Sequence, residues 1–80
     1  MKYKIEVTDT FGGEANYSWV RRYDIDVNED ISELSFIRLV KKTIGWNGLK
    51  CKREKLGGTF DEMLIPRKIC QVCFIMPQEF

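Results

Sequence analysis

The sequence predicts an α+β domain: a single helix packed on one face of a four- to five-stranded antiparallel sheet, in the order β-β-α-β-(β)-β. Three stretches carry that expectation. Ser32 to Trp46 (SELSFIRLVKKTIGW) has helical periodicity, because at about 100° per residue Leu39, Thr43, Phe36, Val40, Ile44 and Ile37 fall on one arc of about 160°. Lys2 to Thr8 alternates strictly, with Tyr3, Ile5 and Val7 on one side and Lys2, Lys4, Glu6 and Thr8 on the other, the pattern of a half-buried strand. Ile69 to Met76 (ICQVCFIM) is apolar on both sides apart from Gln71, which suits a central strand.

Taken in order, the first strand is followed by turn chemistry over Asp9 to Asn16 (DTFGGEAN), where Gly12 and Gly13 accept positive φ and Asp9 and Asn16 bond local backbone. A second strand over Tyr17 to Val27 places Tyr17, Trp19, Arg21, Tyr23, Ile25 and Val27 on one face and completes a long hairpin. Arg21 interrupts that apolar row, so either a bulge shifts the register after Trp19 or the outer end of the face is open to water. The helix has two candidate caps, Ser32 or Asp30 with Glu33 as a capping box. At its other end Gly45 suits the left-handed closing position, Lys41 and Lys42 put positive charge at the negative end of the helix dipole, and Trp46 folds back as an apolar seal. Leu49 to Lys55 (LKCKREK) has the charge of an edge strand. Gly57 and Gly58 mark a turn, Phe60 to Ile65 a short strand ended by Pro66, and Pro77 to Phe80 a frayed tail.

Eighty residues make one domain, residues 1–80, which buries only about 60 to 65% of the surface its unfolded chain exposes. No apolar run approaches the roughly 18 residues of a membrane span, and the opening Met1-Lys2-Tyr3-Lys4 does not lead into a signal-peptide core, so a cytoplasmic protein without membrane association is expected. The formal net charge of +1 excludes a strongly basic nucleic-acid coat and an acidic mimic alike. That average hides a division: residues 1–37 hold four Lys/Arg against eight Asp/Glu, whereas residues 38–68 hold nine against three. Opposite poles of this kind orient a protein toward a charged partner.

The absence of histidine removes the usual general base and the commonest zinc ligand. Cys70 and Cys73 have the C-x-x-C spacing but lie in a predicted strand, where positions i and i+3 point to opposite faces, and with Cys51 they make an odd set. They read as buried apolar residues, and neither a catalytic residue, a metal site nor a cofactor is assigned. The carboxylates Asp24, Asp26, Glu29, Asp30 and Glu33 lack the EF-hand pattern, and the glycine pairs lack phosphate-loop spacing. What remains is basic and aromatic. Lys41, Lys42, Lys50, Lys52, Arg53 and Lys55 with Arg21 and Arg22 are candidates for one binding surface, with Tyr17 and Trp19 available for stacking and Phe11 as a loop-tip anchor.

The segment Thr8 to Arg22, TDTFGGEANYSWVRR, resembles one found in a family of small phage and prophage proteins, and the likeness covers residues 3–22. The resemblance implies a compact phage accessory product and carries over no functional residue. Anti-CRISPR proteins of similar size and architecture offer an analogy, since they occupy a surface of a host effector complex. The expectation is therefore a non-enzymatic inhibitor that binds a host protein or ribonucleoprotein complex in the host cytoplasm. A small single-stranded nucleic-acid binder is the alternative. The sheet face left bare by a single helix is expected to expose the row of Cys70, Val72, Phe74 and Met76 or its alternates, and offers a route to a homodimer.

Overall fold

The computed structural model of the chain describes residues 1–55 and 62–78. Its elements are β1 (Lys2–Phe11), β2 (Glu14–Asp26), α1 (Glu33–Ile44), β3 (Cys51–Lys55), β4 (Glu62–Pro66) and β5 (Gln71–Gln78). All five strands form one sheet in the order β2-β1-β5-β4-β3, antiparallel at each junction. This is the expected α+β class, with β5 central and the lysine-rich β3 at an edge. The turn expected at Gly57-Gly58 and the start of the strand expected at Phe60 lie outside the described residues, as do positions 79 and 80.

The helix begins and ends where its local chemistry dictates. Of the two candidate caps the structure uses Ser32, which has extended backbone and whose Oγ accepts the Ser35 N–H at 3.2 Å. Gly45 takes φ +83°, and two bonds close the last turn: Trp46 N–H to the Lys41 carbonyl at 2.7 Å and Gly45 N–H to the Lys42 carbonyl at 3.4 Å. That pair is a Schellman closure, and the buried Trp46 ring is its apolar seal.

Residues directly opposite in a sheet share a face, so the register sorts the core. Ile5 faces Tyr23 on one side and Ile75 on the other, Val7 faces Arg21 and Cys73, and Leu64 faces Cys73. Ile5, Val7, Leu64, Cys73 and Ile75 form one buried cluster with Ile37, Val40 and Ile44 of α1 and with Trp46. The Tyr3 ring meets Phe36 of the helix at 4.6 Å between centroids. Each fully buried aliphatic side chain of this kind contributes about 1.5–3 kcal/mol.

Three expectations about the hairpin and the far face of the sheet are corrected. First, the hairpin turn is not the eight-residue stretch Asp9–Asn16. Phe11 pairs with Glu14 across Gly12 (φ +63°) and Gly13 (φ +84°), a two-residue loop whose positive φ values match the twist of the strands. The polar residues beside it belong to a bulge: Thr8 pairs with Val20 and Thr10 with Ala15, so Asp9 alone stands opposite Asn16 to Trp19. Second, the bulge takes Tyr17 off the face it was assigned to. Tyr17 adopts φ +56°, and its ring stacks on Phe74, 6.5 Å away and 9° from parallel, on the side of the sheet away from α1. Third, the row expected to stand open on that side is largely closed. Val72 is 4% exposed and Phe74 7%, Met76 is half-buried, and of the four only Cys70, in the bend before β5, is exposed.

Pro77 does not fray but sits in β5 opposite Tyr3. Met1 and Val27 exchange both their backbone bonds (2.7 and 2.9 Å), so odd residues of β1 bond toward β2 and even ones toward β5. The ladder to β5 therefore runs through Met76 and Gln78, and the N–H that Pro77 lacks is not part of it.

Candidate functional site

The expected basic and aromatic residues do not form one surface. Phe11, Tyr17, Trp19, Arg21 and Arg22 belong to the β1–β2 hairpin, and Lys50, Lys52, Arg53 and Lys55 to the other edge of the sheet. Four strand spacings separate the two edges, about 19 Å.

At the hairpin edge most groups are engaged within the chain. The Arg21 guanidinium lies 4.8 Å over the Trp19 ring, and Arg22 Nε meets Glu6 at 3.3 Å. Phe11 is the most open apolar side chain described, at 79% exposure. The bulge that aims Tyr17 is held by two oxygen centres. Thr8 Oγ1, fully buried, accepts the Tyr17 N–H at 3.1 Å and donates to the Trp19 carbonyl at 2.9 Å. The Asp9 carboxylate accepts from Ser18 Oγ (2.6 Å), Asn16 Nδ2 (2.9 Å) and Ser18 N–H (3.0 Å). These bonds, the Ser18 hydroxyl first, lower the Asp9 pKa from 3.8 to about 2. A carboxylate depressed on folding stabilises the fold above its unfolded pKa, and that contribution disappears as pH falls from about 4 through about 2. Asp9→Ala should therefore remove this acid sensitivity and loosen the stack of Tyr17 on Phe74 at neutral pH. Amide exchange at Tyr17 and Ser18 checks it, since both protons should exchange faster in the variant while those of Ile5 and Ile75 hold.

On β3 the charges divide by face. Arg53 points to the helix side, where its Nη2 meets Glu33 and Glu62, both at 2.7 Å, and its Nε meets Glu62 at 3.3 Å. The Glu62 side chain is only 7% exposed and that of Arg53 37%. Arg53 thus ties the first turn of α1 to β4, and the same contact lowers the pKa of Glu33, mainly through the hydrogen bond. Lys52, on the opposite face, pairs with Glu54 at 3.1 Å.

Several cations without a carboxylate partner come together at the end of the helix. The turn from Trp46 to Leu49, closed by the Leu49 N–H to the Trp46 carbonyl (3.0 Å) with Gly48 at φ +77°, brings Leu49 and Lys50 back beside α1. A groove of about 490 Å³ results, walled by Leu34, Arg38, Leu39, Lys41, Lys42, Leu49 and Lys50 with Asn47 and Gly48 at its end. It adjoins a second depression of about 470 Å³ lined by Lys41, Lys50, Cys51, Lys52 and Arg67. Six cations and no carboxylate line the two together. Among the described residues, Arg38, Lys41, Lys42, Lys50 and Arg67 form no ion pair. Glu33 stands in the first turn at the other end of the 12-residue helix, about 18 Å away, and Lys41 and Lys42 in the last, the order that its dipole favours.

Of the candidates the sequence offers, Lys41, Lys42, Lys50 and Lys52 line this surface, which also takes in Arg38, Arg67, Leu34 and Leu49, none of them a candidate from the sequence. The spacing Leu34-Arg38-Lys42 marks one outer stripe of a helix and was available as a signal. Arg67 carried none, because it approaches Lys50 only through the pairing of Cys51 with Pro66.

The cysteines stand apart from this surface in chemistry. Burial pushes the Cys73 thiol up to about 12 and raises that of Cys51, so neither offers a thiolate near neutral pH. Cys70 is exposed while Cys73 is buried under α1, and no disulfide joins them. Among the described residues, no three His, Cys, Asp or Glu side chains are grouped to hold a metal ion, and no helix is long and apolar enough to cross a membrane. Compared with protein-family models, curated proteins and solved structures, the chain matches none.

Proposed function

We propose that this chain is a non-enzymatic binding protein that seats an acidic, leucine-bearing surface of a partner protein in the groove at the end of α1, and acts by occupying that surface. The observation that carries the proposal is one groove lined by unpaired cations (Arg38, Lys41, Lys42, Lys50) together with the exposed Leu34 and the half-buried Leu39 and Leu49. Cations steer an acidic partner and set its register, and the leucines supply apolar area that a purely electrostatic contact lacks. The resemblance of Thr8–Arg22 to phage proteins supplies the proposed setting: an accessory product that inhibits a host complex, with a CRISPR-type nucleic-acid-guided effector as target.

A single-stranded nucleic-acid binder needs aromatic faces beside its cations. The hairpin aromatics are on the opposite edge of the sheet, with Trp19 covered by Arg21 and Tyr17 laid on Phe74. A protein surface therefore fits this groove better than a single strand does.

Reversal of Lys41 and Lys50 to glutamate tests it. With a fluorescent peptide of alternating glutamate pairs and leucines as probe, each reversal should weaken binding about tenfold, about 1.4 kcal/mol, while the circular dichroism stays unchanged. Arg53 is excluded from this set because its loss acts on the fold. Unaltered affinity in Lys41→Glu/Lys50→Glu would remove the groove from the function.

A further inference from the structure

β2 is a 13-residue edge strand without proline or glycine, and its outer backbone is a ready template for another strand. Odd residues of β2 bond inward to β1, as the Met1–Val27 exchange shows, so Val20, Arg22, Asp24 and Asp26 direct their N–H and C=O groups out from the edge. None of the outward N–H and C=O groups of these four residues has a backbone partner among the described residues. Charged side chains commonly blunt such an edge. Here their order makes it self-complementary.

We propose that two copies of this chain pair antiparallel through β2, about a two-fold axis at Tyr23, to give one continuous ten-stranded sheet. In that register Arg22 lies opposite the partner's Asp24 and Asp24 opposite the partner's Arg22. Val20 lies opposite the partner's Asp26, and the converse. These are the outward-directed residues on both strands, so each pair exchanges two N–H···O bonds and brings opposite charges together. Tyr23, half-buried at the edge, meets its own symmetry mate in the closer, non-bonded row. Neighbouring registers fail on charge or on hydrogen bonding. A shift of two residues in the pairing sum sets Arg22 against Arg22 or Asp24 against Asp24, and a shift of one sets outward backbone groups against inward ones. The contact uses neither the groove nor the face of the sheet, and leaves the groove at the far edge of each copy.

Sedimentation velocity over a concentration series tests the pairing, with variants Arg22→Asp and Asp24→Arg. The wild-type chain should sediment as a dimer at high concentration. Arg22→Asp alone sets aspartate against aspartate and should be monomeric. Asp24→Arg alone sets arginine against arginine and should also be monomeric. An equimolar mixture of the two variants restores both opposite-charge pairs and should dimerise. A wild-type chain monomeric up to about 1 mM, the weak end of specific association, overturns the proposal. So does a dimer that survives either substitution, or a mixture of folded variants that stays monomeric. Where a variant does not fold, amide exchange of the wild type decides: Val20, Arg22, Asp24 and Asp26 should gain protection with concentration, and uniform behaviour along β2 contradicts the pairing.

Discussion

Trp46→Ala is expected to cost about 3–5 kcal/mol, a large share of the stability of a chain this size, which at about 0.05–0.15 kcal/mol per residue is about 4–12 kcal/mol. The ring seals the closure at Gly45 and is buried with Ile37, Val40 and Ile44 against the sheet. Truncation leaves a cavity at the one place where the helix end, the turn into Leu49 and the sheet meet. The groove depends on the same point, because the Leu49 N–H bonds the Trp46 carbonyl. Urea unfolding followed by circular dichroism measures the loss. Trp46→Phe should restore more than half of it, since most of the apolar volume returns. A loss below about 1 kcal/mol in Trp46→Ala, the size of a peripheral contact, would mean that the ring does not hold the helix to the sheet.

Arg53→Met is expected to cost about 2–3 kcal/mol, because it leaves the buried Glu62 carboxylate without its cation. The figure sits below that of a fully enclosed pair since Arg53 is one-third open to water. Adding Glu62→Met should return stability to within about 1 kcal/mol of the wild type, as an apolar pair of similar volume replaces an ion pair. Glu33 adds a pH signature. Its pKa is lowered on folding by the Arg53 hydrogen bond, so its contribution is present above the ordinary glutamate pKa of 4.5 and is lost as pH falls below it. Arg53→Met should flatten that part of the pH–stability curve. A thermal-unfolding series at several pH values reads both effects. If the double variant is no better than the single one, Glu62 does not depend on Arg53.

What the sequence disclosed and what it concealed divides by the range of the interactions. The helix and both its caps were legible because periodicity, Ser32, Gly45 and Trp46 all act within a few residues. Lys2–Thr8 and the central β5 were legible from local alternation and apolarity. The hairpin tip was misread because Asp9 and Asn16 have turn chemistry, and they do bond one another and, through Asp9, the backbone of Ser18. They do so across two strands inside a bulge, which only the pairing of Thr8 with Val20 and Thr10 with Ala15 reveals. Tyr17 was placed on the wrong face for the same reason. A one-side-in, one-side-out rule fails once a residue adopts positive φ.

The candidate site was legible as charge and illegible as shape. The excess of Lys and Arg after residue 37 predicted a basic pole, and the structure places one at the end of α1. The sequence could not separate cations that meet carboxylates from those that do not. Arg53 finds Glu33 twenty residues away and Glu62 nine residues away only through the β3–β4 pairing and the packing of α1 above it. Its neighbour Lys52, one step of the pleat away, points to the opposite face and pairs there with Glu54, while Lys50, before the strand, has no carboxylate partner among the described residues. Bareness of the second sheet face was inferred from counting layers, and Val72 and Phe74 show that one helix does not leave that face open across its centre.

The proposal that this protein works by binding through its basic groove is tested most directly by a nitrogen-15 NMR titration. The ¹⁵N-labelled chain is titrated with the glutamate–leucine peptide and, separately, with a single-stranded oligonucleotide of equal charge. The peptide should shift the amides of Arg38, Lys41, Lys42, Leu49 and Lys50, and leave Tyr17, Trp19 and Arg22 in place. Tighter binding of the oligonucleotide, with its shifts centred on Tyr17 and Trp19, would contradict it.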